Sequence, residues 1–201
     1  MGKELEYKLL IPNEETLTRI LADEELSALA MGAYAQTQMK TTYYDTPDRR
    51  FSTHYFTLRQ RFEGDRSIVC LKTPLKESHA RGEWQIPAET IDDVAVERLV
   101  ELGAPKELLV FYGVGNILPV CGAQFLRQHV MLQFSDGSQA ELAGDHGFLY
   151  GQQERLPFTE LELELYRGDP HEMLALVKRL CDKFSLREQP KSKYARARAL
   201  K

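Results

Sequence analysis

Between residues 158 and 166 the sequence reads FTELELELY, an unbroken alternation of acidic and leucine side chains. On an extended strand successive side chains point to opposite faces, whereas a helix returns to the same face every three or four residues. A strand therefore separates Glu160, Glu162 and Glu164 from Leu161, Leu163 and Leu165, and a helix would mix them. The same period opens the chain in KELEYKLLI (3–11), where Glu4, Glu6 and Lys8 oppose Leu5, Tyr7 and Leu9. Each of these strands needs an apolar layer behind it and surroundings in front that tolerate several charges.

Further segments share the period-two or β-branched and aromatic character of strands. They are QTQMKTTYYD (36–45), HYFTLRQRF (54–62), SIVCLKT (67–73), RGEWQIP (81–87), QFLRQHVMLQF (124–134), QAELAGD (139–145) and GFLYGQQ (147–153). EGDR (63–66) and SDGS (135–138) have the composition of hairpin turns. Asn13 followed by Glu14 and Glu15 predicts a capped helix to about Leu29. DPHEMLALVKRLCDKF (169–184) has the spacing of an amphipathic helix, and 92–120 reads as helical and irregular. About eight strands with short turns and a few helices predict an α+β, mainly β chain. Its architecture would be an antiparallel barrel or a large curved sheet. Without a linker or repeat, residues 1–201 are read as one domain.

The charged faces have a pattern of their own. Arg59 and Arg61 share a face, Glu83 and Gln85 share another, Arg127 and His129 a third, and Lys72 ends its strand. Any one of these alone is best read as a solvated sheet face. Together, carboxylates gather on the first and last strands and cations on the middle ones. If the fronts of these strands faced a common lumen, Lys8, Arg59, Arg61, Lys72 and Arg127, with Lys193 as a further candidate, would suit a polyanion carrying several phosphates. Glu4, Glu6, Glu160, Glu162 and Glu164, with Glu83 and Asp145 as further candidates, cannot bind phosphate directly. They can hold Mg²⁺ or Mn²⁺, which bridges to phosphate oxygens. The two sets point to a metal–polyphosphate complex. A net charge of -4 gives no bulk attraction to nucleic acid or acidic membranes. The short basic tail PKSKYARARALK is a weak case for nucleic acid. Three scattered cysteines, no signal-peptide pattern and no long apolar run predict a cytoplasmic protein with reduced thiols.

ELEYK (4–8) resembles the ExExK motif of the CYTH superfamily, the triphosphate tunnel metalloenzymes. TTYYDTPD (41–48), LRQR (58–61), CLKT (70–73), RGEWQI (81–86), ELELE (160–164) and PKSKYARA (190–197) are similar to the family's later motifs, in the same order. The resemblance implies an eight-stranded antiparallel β-barrel, a triphosphate tunnel, with helices packed outside. It implies metal at Glu4, Glu6, Glu162 and Glu164, with Asp145 as an additional acidic position. Lys8, Arg59, Arg61, Lys72, Arg127 and Lys193 would hold the substrate, and Glu83 would be a salt-bridge partner. His129 stands where many members place Lys or Arg, and Glu160 is a third carboxylate of undetermined reach.

ELELELYRGD (160–169) looks most like the bacterial inorganic triphosphatases. The leading expectation is metal-dependent hydrolysis of inorganic triphosphate to pyrophosphate and phosphate. Alternatives are class IV adenylyl cyclase, thiamine triphosphatase and a non-catalytic polyphosphate or nucleotide binder. The expected partner is a small triphosphate, not nucleic acid or a membrane, with monomer and homodimer both open.

Overall fold

The computed structural model describes residues 5–74, 81–113 and 116–200. One antiparallel sheet carries the fold. Its strands are β1 (Glu6–Leu10), β2 (Ala35–Asp45), β3 (Thr57–Glu63), β4 (Arg66–Pro74), β5 (Arg81–Pro87), β6 (Leu118–Gln133), β7 (Gln139–Tyr150), β8 (Arg155–Arg167) and the short β9 (Arg187–Glu188). Their order is β5-β4-β3-β2-β6-β7-β8-β1-β9. Three pairings join segments distant in sequence: β2 with β6, β1 with β8, and β1 with β9. The helices are α1 (Glu14–Leu21), α2 (Glu24–Leu29), α3 (Arg50–Thr53), α4 (Asp93–Glu101), α5 (Glu107–Gly113), α6 (His171–Phe184) and α7 (Lys193–Ala197). None of the described helices is long and apolar enough to cross a membrane.

The leucine backs of the strands are covered as their alternation requires. Leu9, Leu161 and Leu163 are buried with Leu132 and Leu142 under Ile20 of α1 and Met173 and Leu176 of α6. At the other end of the sheet, Leu58, Val69, Leu71 and Ile86 are buried under Val96, Leu99 and Leu108 of α4 and α5, and Trp84 packs there too. Fully burying one such side chain stabilises by ~1.5–3 kcal/mol, enough to hold the register that turns every charge the other way. A third cluster lies on the opposite, charged face. Met39, Tyr43, Ala123, Phe125, Leu149 and Phe158 pack there against Ala197 of α7. α7 therefore covers part of the inner surface of the sheet.

Local structure departs from the sequence reading in three places. The helix expected to run from Glu14 to Leu29 is two helices. Asn13 Oδ1 accepts from Thr16 N at 2.8 Å and starts the first, and Asp23 Oδ1 accepts from Glu25 N at 3.0 Å and starts the second. A side chain that satisfies a helix N-terminus competes with continuation of the preceding helix. Residues 139–145 and 147–150 form one strand rather than two. Gly147 keeps register with Phe125 and Phe158, and a Cβ there would meet Gln124 O at 2.2 Å. Finally, β6 already begins at Leu118, inside the span read as helical and irregular.

Candidate active site

The sheet curls so that strands far apart in its order face one another. β1, β2, β3, β4, β5, β6 and β8, together with residues 190–195, line one cavity of about 720 Å³. Glu6, Lys8, Arg59, Arg61, Lys72, Arg127, Glu162, Glu164 and Lys193 all reach it. Glu83 and Gln85 reach it as well, from the face opposite Trp84. Glu4 lies outside the described residues. Lys191 also lines the cavity, although its place in the basic tail gave no sign of that. Only a periodicity across the irregular segment 189–192 could have signalled it, and there is none.

One wall is formed by β1, β8, β7 and β6. Register places Glu6 opposite Glu164 and Lys8 opposite Glu162. Lys8 Nζ lies 2.5 Å from Glu6 Oε2. Behind this surface Asp145, fully buried, accepts two hydrogen bonds from Arg127, Nε to Oδ1 at 2.8 Å and Nη2 to Oδ2 at 2.7 Å. Arg127 Nη2 also donates to Glu162 Oε2 at 2.5 Å. Lys193 Nζ reaches Asp145 at 2.7 Å and Glu162 at 2.8 Å, and it also pairs with Glu160. The ammonium stands 5.0 Å from the centre of the Phe125 ring and 5.5 Å from that of Phe158. Burial alone would raise the Glu162 carboxyl, but Lys193 and Arg127 hold it well below the usual carboxylate range. Glu6 is instead raised, first by burial and then by the charge of Glu162.

The other wall is formed by β3, β4 and β5. Lys72 and Glu83 are direct cross-strand partners, and Lys72 Nζ is 2.8 Å from Glu83 Oε2. Arg59 Nη2 donates to the other oxygen of Glu83 at 3.3 Å, and the Cys70 thiol donates to it at 3.1 Å. Burial favours the neutral Glu83, yet Lys72 and Arg59 outweigh it and hold the carboxyl at about 2. Arg61 pairs with Glu63 at 2.5 Å. Arg59 Nε and Arg61 Nε are buried with no hydrogen-bond partner among the described residues. His129 does not line the cavity; its Nδ1 lies 3.5 Å from Glu141 Oε2, on the flank of Arg127.

The carboxylates divide into two groups with respect to a divalent cation. Glu6, Glu162 and Glu164 present oxygen ligands to the cavity, the donor type that Mg²⁺ and Mn²⁺ take. Burial raises Glu6 most, and the repulsion from Glu162 that adds to it is what such an ion would relieve. Asp145, Glu160 and Glu162 also bring carboxylate oxygens within 4.8 Å of one another. Asp145 and Glu160, however, are closed off by Arg127, Lys193 and Arg196, while Glu162, although paired with Lys193 and Arg127, still lines the cavity. Asp145 and Glu160 do not reach the cavity surface.

Chemically, the cavity joins a metal-compatible acidic patch to several ammonium and guanidinium groups. The comparisons with known proteins agree with this geometry. The chain is 26% identical over 186 residues to an inorganic triphosphatase of Haemophilus influenzae, an alignment covering 90% of this chain and 50% of that protein. It thus spans about half the length of that relative. Among solved structures, a candidate adenylyl cyclase from Hippeastrum, described as having a dominant triphosphatase activity, superposes with a TM-score of 0.61. That match has 18% identity and covers 98% of this chain and 95% of the other. A candidate adenylate cyclase from Bacillus halodurans gives 0.57 at 15% identity, covering 97% and 98%. These two matches speak for the fold. The CYTH domain family matches residues 2–197, nearly the whole chain, and the protein belongs to it.

Proposed function

We propose that this protein hydrolyses inorganic triphosphate to pyrophosphate and phosphate within the cavity, with Mg²⁺ or Mn²⁺ as cofactor. The observation that carries the reading is the convergence of Arg59 and Arg61 of β3 on the cavity, where they keep 14% and 21% of their side chains exposed. The exposed donors of these two guanidinium groups can make charge-assisted hydrogen bonds to the oxygens of an anion in the cavity. Lys8, Lys72, Arg127 and Lys193 extend the same field along the cavity, so that several phosphates are held at once.

Glu6, Glu162 and Glu164, with Glu4, would hold the metal. When bound, the ion neutralises phosphate oxygens and provides an acidified water as nucleophile. The rest of the reaction falls to the protein side chains. Arg127, held by both oxygens of Asp145, presents a fixed guanidinium plane. Arg59, Arg61 and Lys72 grip the departing pyrophosphate and stabilise the charge that grows on the bridging oxygen as it leaves. Because these donors are set before the substrate arrives, little reorganisation is needed during the reaction.

Purified protein would be offered inorganic triphosphate, ATP and thiamine triphosphate in parallel, with Mg²⁺ or Mn²⁺. Orthophosphate released from inorganic triphosphate, and lost in Glu6→Ala, is the expected result. Cyclic AMP and pyrophosphate from ATP would replace the reading with a cyclase. The size of the cavity, about 720 Å³, favours that second reading, since it has room beyond three phosphates and includes apolar surface from Met39, Tyr43 and Phe125. Binding of triphosphate without turnover would make the protein a binder and overturn both.

A further inference from the structure

Glu160 is a carboxylate that neither the cavity surface nor the metal patch uses. It is fully buried and touches two cations, Lys193 and Arg196. Both come from α7 and stand three residues apart, one helical turn, so they share a face of that helix. α7 has five residues, too few to be stable by itself. Its position therefore depends on what holds it. Ser192 Oγ accepts from Ala195 N at 3.1 Å and caps the first turn. Ala197 is buried in the inner cluster, and the Arg196 guanidinium lies 5.3 Å from the centre of the Phe158 ring. Beyond the helix, Arg198 Nη2 donates to Ser52 Oγ at 3.3 Å.

We infer that Glu160 and Arg196 form a positioning pair: joined beneath the cavity, they fix α7 so that Lys193 stands at the phosphate-binding surface. Asp145, Glu162 and Glu160 itself hold the Lys193 ammonium, and Glu160 also ties its helix down from below through Arg196. The inference rests on the reading of the cavity as a triphosphate site. It goes beyond that reading in giving Glu160 to α7 rather than to the metal. Breaking the pair leaves the phosphate contacts chemically intact and lets Lys193 wander. The cost falls on substrate binding, and only through Lys193.

The test is a double-mutant cycle between Glu160→Gln and Lys193→Met, with Arg196→Ala and Arg196→Lys as companions. KM for inorganic triphosphate should rise about tenfold in Glu160→Gln and Arg196→Ala, the size of one lost charge-assisted contact, with kcat within about threefold of wild type. In the Lys193→Met background Glu160→Gln should add no further rise. Arg196→Lys should recover most of the loss. Amide hydrogen exchange across residues 193–198 should quicken in Glu160→Gln. An equal KM rise with and without Lys193, or unchanged exchange, would overturn the pair. If wild type turns over no triphosphate, the functional reading falls. The exchange experiment then decides the pair alone: faster exchange supports it and unchanged exchange removes it.

Discussion

The two walls of the cavity use the same residue types in opposite ways. On the wall of β6, β7 and β8, Asp145 and Glu160 are fully buried, and the cations above them are already matched by carboxylates. On the wall of β3, β4 and β5, Arg59, Arg61 and Lys72 pair with Glu83 and Glu63, carboxylates that keep 25% and 23% of their own side chains exposed. A charge sealed in the interior must be paired or the fold suffers. Where the paired carboxylates are themselves partly exposed beside a cavity, an incoming anion can compete for the cations. The first wall therefore governs stability and the second governs affinity, although both look equally charged in the sequence.

The largest effect should come from the sealed wall. Asp145→Ala removes two of the acceptors of Arg127 and one of Lys193, and urea denaturation should show a loss of ~3–5 kcal/mol. A change below 1 kcal/mol would erase the distinction between the walls. On the open wall Arg59→Met and Arg61→Met should reverse the balance. Stability should stay within about 1 kcal/mol of wild type, while triphosphatase activity falls ~10²–10³-fold. Activity that survives either change would detach this wall from the chemistry.

Acid should separate the walls more gently. Glu83 is ordinarily ionised above 4.5 and is held at about 2 in the folded protein. Its folded value is depressed, so its contribution is complete above 4.5 and fades as pH falls through about 2. Thermal unfolding followed between pH 5 and 2 should decline for wild type. Glu83→Gln should lack that part of the decline and start from a lower melting temperature, because Lys72 and Arg59 lose their partner. Parallel curves for the two proteins would show that Glu83 carries no such linkage. The smallest effect belongs to neither wall. Arg179 pairs with Glu25 on the outside at 2.6 Å with both side chains well exposed, and Arg179→Ala should shift stability by less than about 0.5 kcal/mol and activity not at all.

Much of this arrangement was legible before any coordinates. Alternation in 158–166 and 3–11 sorted charged from apolar faces. Alternation placed Arg59, Arg61, Glu83 and Glu162 each on the charged face of its own strand, the family resemblance implied one tunnel for them, and one cavity holds them all. Strand pairing across the whole chain was not legible, and neither was the difference between the walls. Asp145 and Glu164 look alike in sequence, yet one is sealed beneath the sheet surface and the other faces the cavity. Burial comes from which neighbours arrive, and α7 is the neighbour that arrives here. Five residues of helix and two of β9 are too short to leave a periodic trace. The break at Asp23 was missed because the amphipathic spacing continues across it while a side-chain cap interrupts the backbone.

The position of β1 has a consequence for how the molecule comes into being. β1 lies between β8 and β9, with Leu9 and Leu10 facing Glu188 and Arg187 on one side and Leu161 and Glu160 on the other. Gln189 N donates to Lys8 O at 2.8 Å just beyond. A strand near the beginning of the chain thus waits for segments nearly the length of the described chain away. Contacts of such separation form late and slowly, since the entropy of closing the long loop must be overcome first. During synthesis the middle strands β2 to β5 can pair while β1 has no partner. The cavity, and any catalysis in it, would then be among the last features to assemble, and a truncated chain would be folded in part yet without a site.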